Sequence, residues 1–85
     1  MSFSNNLNRV VTIGASTQSV RAHALTRLAR VIFDPTFTIG GSPPTIAQKA
    51  YCLALFIKVV DAAEDGSLEL SDALRTPWVA VMGDV

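Results

Sequence analysis

The chain has 85 residues, of which 49% are hydrophobic and only 16% are charged, and its formal net charge is zero. A chain of this length predicts a single small domain over residues 1–85 that is only marginally stable alone, and its balanced charge argues against a dedicated nucleic-acid binder. Because an average domain has roughly 25% charged residues, the composition predicts apolar surface that another copy, a partner chain or a membrane covers.

Cysteine content and apolar runs exclude further classes of protein. The single cysteine, Cys52, excludes an internal disulfide and a multi-cysteine metal site. The N-terminus lacks the basic segment and long apolar run of a secretory signal. The longest apolar run, residues 50–57, is too short to span a bilayer. The sequence therefore predicts a chain in the cytoplasm or inside a viral particle.

The first half of the chain predicts a polar arm, two short strands and a helix. Residues 1–8 are rich in Asn and Ser and predict an N-terminal arm. Segments 10–13 and 36–39 carry β-branched or alternating apolar residues, which predicts strands that pair as a short two-stranded ribbon. Apolar residues recur at helical spacing between them, so we expect an amphipathic helix that Ser16 or Thr17 caps and that ends at Asp34-Pro35.

The middle of the chain predicts a long apolar helix from about residue 44 to residue 64. It begins either with Ser42 before a proline at the first helical position, or with Thr45, which stands three residues before Gln48 as in a capping box. Apolar residues surround this helix almost completely, and such a helix lies in a core or is shared between subunits. Because 85 residues offer little chain to cover a helix about 30 Å long, sharing between subunits is favoured.

Residues 61–72, DAAEDGSLELSD, have the acidic ends and central glycine of a calcium loop. With Gly66 at loop position 6, position 3 falls on Ala63, which offers no oxygen ligand, and position 12 falls on Asp72 instead of a bidentate glutamate. The favoured interpretation needs no metal: Gly66 ends the long helix in a left-handed conformation, and Ser67 or Ser71 begins the next element. Weak calcium binding is the minor alternative.

The charges are divided unevenly along the chain. Residues 1–58 hold six basic residues and one acidic residue, a net charge of +5, and residues 59–85 hold one basic and six acidic residues, a net charge of −5. The two halves either face each other within one chain, or the basic surface of one copy meets the acidic surface of the next. The second arrangement is head-to-tail and builds a ring or a filament.

A basic ridge lies on the predicted first helix, where His23, Arg27 and Arg30 recur at helical spacing beside Arg21. Such a ridge can form ion pairs at an interface or contact phosphates. A helix-turn-helix is disfavoured, because the connection to the next helix is too long and that helix lacks side chains that read base edges.

Catalytic chemistry has little support in the sequence. Cys52 lies within the apolar helix, where burial makes a thiol inert, and His23 lies among cations that disfavour its protonation. The spacings of the common phosphate-binding glycine loops are absent. We therefore expect no enzyme activity, no cofactor and no metal site.

The sequence predicts a mainly α domain of two or three helices, centred on the apolar helix at about 44–64, with a short β-ribbon of 10–13 and 36–39. Its expected function is that of a small structural or interaction protein that self-associates or docks into a larger assembly, such as a viral or phage particle. A nucleic-acid-associated module using the basic ridge is the first alternative, and a small membrane-associated protein using the apolar helix is the second. Its partner is expected to be itself or another protein, with nucleic acid and membrane less favoured.

The predicted interface has three parts. The basic part consists of Arg21, His23, Arg27 and Arg30. The acidic part consists of Asp61, Glu64, Asp65, Glu69 and Asp72. The apolar part consists of Tyr51, Leu55, Phe56, Val59 and Trp78, with Trp78 as the best single anchor.

Overall fold

The fold combines three helices with two small antiparallel sheets, and it is therefore mixed α/β. The computed structural model describes the backbone of residues 3–83 and the side chains of residues 6–83. In chain order the elements are β1 (Phe3–Asn6), β2 (Val10–Ile13), β3 (Ser16–Ser19), α1 (Val20–Phe33), α2 (Ile46–Val60), β4 (Ser67–Leu70) and α3 (Asp72–Met82). The expectation of helices is confirmed, and "mainly α" is too narrow because four short strands contribute.

Each sheet is a pair of antiparallel strands. Strand β1 pairs with β4, with Asn6 opposite Ser67, and β2 pairs with β3 in a hairpin, with Ile13 opposite Ser16. The predicted strand at 10–13 is therefore confirmed. The predicted ribbon is wrong in its second strand, because a tight local turn brings β3 beside β2 before segment 36–39 is reached.

Segment 36–39 belongs to a turn region instead. The Asp34 carboxylate accepts hydrogen bonds from the Thr36 backbone N–H, at 2.9 Å, and from the Thr36 hydroxyl, at 2.7 Å. These contacts hold the chain in a turn directly after α1. Only an isolated bridge forms here, between Ile39 and Ser42, and Phe37 packs into the core.

The N-terminal segment is built into the fold, which corrects the expectation of an arm over residues 1–8. Residues 1 and 2 lie outside the described residues, and Phe3–Asn6 is strand β1. Leu7 is completely buried. Its backbone N–H donates to the Gly66 carbonyl oxygen at 2.6 Å, and its carbonyl oxygen accepts from the Arg21 backbone N–H at 2.8 Å. The segment therefore joins β4 to the start of α1.

Helix α1 ends where the sequence predicts and begins later than expected. The Ser19 hydroxyl accepts a hydrogen bond from the Ala22 backbone N–H at 3.1 Å and caps the first turn. The segment before Ser19 is strand β3, so it is not available to the helix. At the other end, Asp34 precedes Pro35 and is extended, which terminates the helix.

Helix α2 is shorter than the predicted span of about 44–64. Of the two possible caps, Thr45 is the one used, because its side chain accepts from the Gln48 backbone N–H while the Gln48 side chain accepts from the Thr45 backbone N–H. The helix ends after 15 residues at Val60, and Asp61 follows as its C-cap. The predicted long helix is therefore wrong at its C-terminal end, since residues 61–66 turn the chain back towards β4.

The core lies between the three helices and the β1–β4 pair. Its fully buried residues are Leu7, Val20, Ala24, Leu28, Cys52, Leu55 and Val59. Helix α3 closes one side with Trp78, Val81 and Met82, and continues through Pro77 as a single helix. Residues Leu68 and Leu70 alternate inward from β4, while Ser67 and Glu69 face out.

Candidate interaction surface

Arg21 of the basic ridge binds the end of α2 within the same chain. Its Nη1–H group donates to the Val59 carbonyl oxygen at 3.3 Å, and its Nη2–H group donates to the Ala63 carbonyl oxygen at 3.2 Å. The Val59 carbonyl lies at the negative C-terminal end of α2, where a cation is stabilising, and the Ala63 carbonyl lies three residues beyond that end. Arg21 therefore contacts residues 61–72 of its own chain at the Ala63 carbonyl oxygen, and a contact between the basic ridge and the carboxylates of that stretch stays a prediction.

Arg27 and Arg30, farther along α1, contact α3 and the core residue Phe37. The Arg27 Nε–H group donates to the Val81 carbonyl oxygen at 2.8 Å. The guanidinium carbons of Arg27 and Arg30 lie 5.2 Å and 4.9 Å from the centroid of the Phe37 ring, which is cation–π distance. Arg30 also forms an ion pair with Asp34 at 3.4 Å.

His23 is a buried residue of α1, with 7% of its surface exposed. Burial is the larger cause that lowers the pKa of His23 below its ordinary value, and the positive charge of Arg27 adds to it. A neutral imidazole is therefore favoured in the folded chain. Together with the contacts of Arg21 and Arg27, this leaves Arg30 as the ridge residue most exposed to solvent.

The acidic stretch forms a turn and a strand. The Asp65 carboxylate accepts from the Ser67 backbone N–H at 3.0 Å and from the Ser67 hydroxyl at 2.8 Å. These hydrogen bonds lower the pKa of Asp65. Gly66 has a φ of +81°, which confirms the predicted left-handed conformation, although it stands six residues beyond the end of α2. Among residues 3–83, no group of His, Cys, Asp and Glu is placed to hold a metal ion.

The remaining acidic residues of the predicted interface are all at the surface. They are Asp61, Glu64, Glu69 and Asp72. Their part in a contact with another molecule stays a prediction.

The apolar part of the predicted interface lies mostly inside the molecule. Leu55 and Val59 are completely buried, and Trp78 is 1% exposed. Phe56 is half-buried, and only Tyr51 presents a large part of its side chain to solvent. The indole of Trp78 lies in the core, so it offers no surface to a partner in this fold.

A row of exposed apolar residues lies instead on the side of α2 that faces away from the core. Ile46 is 88% exposed, Leu53 50%, Ile57 52% and Val60 57%, and Ala50 is also exposed. We call Ile46, Ala50, Leu53, Ile57 and Val60 the outer face of α2. Large apolar side chains aligned along one helix indicate a contact surface more strongly than single exposed apolar residues do.

The outer face could not be identified from the sequence, although its residues recur in the sequence at steps of four and three. Helix α2 is apolar on all sides, so periodicity could not tell which side faces the core. The structure resolves this because Cys52, Leu55 and Val59 recur on the side that packs against α1 and α3.

An apolar cavity of about 210 Å³ lies between α2 and α3. Tyr51, Cys52, Pro77 and Val81 are among the residues that line it. Burial raises the pKa of the Cys52 thiol, so the nucleophilic thiolate is disfavoured. The cavity is smaller than the roughly 300–1,000 Å³ of typical small-molecule sites.

No helix in the part of the chain that the structure describes is long and apolar enough to cross a membrane. In comparisons with protein-family models, with curated proteins and with solved structures, no match to the chain was found.

Proposed function

We propose that this chain is a small, non-enzymatic structural or interaction protein that self-associates or docks into a larger assembly through the outer face of α2. The observation that carries the proposal is the row of half-exposed to nearly fully exposed Ile, Leu and Val side chains along one helix. In a chain with only 16% charged residues, this row is apolar surface that a second molecule can remove from water.

The energetics favour such a contact. Fully burying a Val, Leu or Ile side chain contributes about 1.5–3 kcal/mol, so covering the exposed halves of Leu53, Ile57 and Val60 contributes about 1 kcal/mol each. The fold already holds α2 as a helix through its cap and its core contacts. Binding therefore carries no cost of ordering the helix, which an isolated peptide would have to meet.

The nucleic-acid alternative has less support from the same contacts. Arg21 and Arg27 donate to carbonyl oxygens of their own chain, and His23 is buried. A phosphate would have to compete with these internal partners.

The experiment is the solution mass of the purified chain, measured by analytical ultracentrifugation from micromolar to millimolar concentration. We expect a concentration-dependent increase above the monomer mass of 9.1 kDa. Ile57→Glu should abolish the increase, because it places a charge in the middle of the outer face. Phe33→Glu is the matched control, since Phe33 is 79% exposed at the end of α1 and lies outside the outer face.

A wild-type chain that stays monomeric up to millimolar concentration would overturn self-association. Equal loss of association in Ile57→Glu and Phe33→Glu would overturn the assignment to α2. Circular dichroism of each variant confirms that its helices are retained.

A further inference from the structure

The outer face of α2 has the spacing of a helix-pairing seam. Its residues, Ile46, Ala50, Leu53, Ile57 and Val60, are separated by alternating steps of four and three. This is the heptad spacing by which the apolar edge of one helix packs into the edge of another. The seam runs the full length of α2, from its first residue to its last.

We infer that the outer face of α2 packs in antiparallel orientation against the same face of a second copy, so that a two-fold axis relates the two chains. This inference rests on the proposed function and specifies its partner and its geometry. The contact is isologous, because one surface meets an identical surface.

The antiparallel register follows from the best overlap of the two seams. When Leu53 lies opposite Ile57 of the second copy, symmetry also places Ile57 opposite Leu53, and Ala50 then lies opposite Val60. Four of the five seam residues thereby meet apolar partners. The outer layers of Ala50 opposite Val60 hold smaller side chains than the two central layers of Leu53 opposite Ile57, so the bulkiest contacts lie next to the two-fold axis.

The charges at the two ends of α2 favour a second copy in this orientation. Lys49 is exposed near the N-terminal end. At the C-terminal end, Lys58 is exposed in the last turn, and Asp61 and Glu64, exposed just beyond it, outnumber that single basic residue. An antiparallel pair brings the basic end of each helix towards the acidic end of the other. It also sets the positive N-terminus of one helix dipole beside the negative C-terminus of the other.

A parallel pair would have the reverse effect. It would superimpose Lys49 on Lys49 and Asp61 on Asp61 of the second copy, which is repulsive. The complementary charges therefore lie at the two ends of one seam, with Lys49 in α2 and with Asp61 and Glu64 in the turn that follows it, and this self-complementarity is what identifies the occupant as a second copy of the chain.

The short length of the seam determines its strength. In this register residues 50–60 of the two helices overlap, and at about 1.5 Å per residue they extend over roughly 15 Å, so the contact belongs among the smaller, weaker protein interfaces. A dimer with a dissociation constant in the micromolar range or above is expected.

The test is disulfide cross-linking between two single-cysteine substitutions, Ala50→Cys and Val60→Cys, in the full chain under mild oxidation. Both positions are exposed, so the substitutions should not disturb the core. Opposite residues of a close helix pair can meet the roughly 4.4–6.8 Å separation of Cα atoms that a disulfide needs. An equimolar mixture of the two variants should give a mixed disulfide dimer.

Each variant alone should give no more disulfide dimer than the controls. In the antiparallel register the two copies of residue 50 lie about 15 Å apart along the helix axis. The wild-type chain controls for the buried Cys52, and a mixture of Val60→Cys with Ala22→Cys, an exposed position on α1, controls for random collision.

The outcomes separate this geometry from self-association itself. Disulfide dimers of each variant alone, at the level of the mixture, would indicate a parallel pair and overturn the inference. No cross-link above the collision control, in a chain that ultracentrifugation shows to be dimeric, would overturn the α2 pairing and leave self-association standing. A chain that is monomeric at every concentration would overturn both.

Discussion

The Nε–H group of Arg27 lies 2.8 Å from the carbonyl oxygen of Val81, so that a side chain of α1 binds the last turn of α3. Arg21, about two turns earlier on α1, does the same for the end of α2. Two arginines of one helix thus donate to carbonyl oxygens at or just beyond the C-terminal ends of both other helices. Those of Val59 and Ala63 also accept from the backbone N–H groups of Ala62 and Gly66. The basic ridge is therefore part of what holds the three helices together.

Arg27→Ala should lower the free energy of unfolding by about 2 kcal/mol. The substitution removes a charged hydrogen bond, worth about 1.5–3 kcal/mol, and one of the two guanidinium groups over Phe37. Urea denaturation measures the change. Arg9→Ala, at an exposed position in the loop before β2, is the control and should change stability by less than about 0.5 kcal/mol. Equal effects of the two substitutions would show that the Val81 contact contributes nothing.

Gly66→Ala should destabilise the chain more than Gly40→Ala. Both glycines have a positive φ, +81° and +61°, and each substitution therefore costs about 1–2 kcal/mol for the left-handed backbone. Only at Gly66 would the new Cβ atom also collide, at 2.5 Å from Asn6 Oδ1 and 2.8 Å from the Asn8 backbone nitrogen.

Thermal unfolding of the two variants measures this difference. The melting temperature of Gly66→Ala should fall clearly below that of Gly40→Ala. Similar melting temperatures would mean that the N-terminal segment does not pack against the turn after α2 as described.

Stability should decrease as the pH falls from about 6.5 towards the lowered folded-state pKa of His23. Its folded-state pKa is depressed below the ordinary value of 6.5, so the unfolded chain takes up a proton in this window more readily than the folded chain does. The contribution of neutral His23 is complete above pH 6.5 and is lost as the pH falls towards the folded-state pKa. Asp34 and Asp65 have lowered pKa values and titrate below this window.

Urea midpoints at several pH values, for the wild-type chain and for His23→Gln, measure the effect. The variant lacks the titrating group, so its midpoint should change less across the same window. Parallel pH profiles for the two chains would contradict the assignment to His23.

Thr45→Ala should lower the free energy of unfolding by about 1 kcal/mol. The substitution removes the hydroxyl that accepts from the Gln48 backbone N–H at 3.1 Å, and so breaks the capping box of α2. Thr38→Ala, at an exposed threonine outside the helices, is the control in the same urea titration. An equal effect at both positions would show that the cap does not contribute to the stability of α2.

The sequence by itself determined several local features of the chain, such as where a helix begins or ends. The capping box at Thr45 and Gln48, the helix end at Asp34 before a proline, the strand at 10–13 and the left-handed Gly66 all follow from residues that are neighbours in sequence. Each depends on backbone sterics or on a hydrogen bond that spans only a few residues, and such interactions are readable without the fold.

Only the tertiary structure decided which side of α2 faces out, which strands pair and what the arginines bind. A helix that is apolar all round has no periodicity that marks its buried side, so Leu55 and Val59 could not be told from Leu53 and Ile57. The pairing of β1 with β4 joins residues that are 61 to 67 positions apart in the sequence. The hydrogen bond from Arg27 to Val81 joins residues that are 54 positions apart. Such contacts depend on where packing places distant segments, and for that reason the outer face of α2 became visible only once the core was assembled.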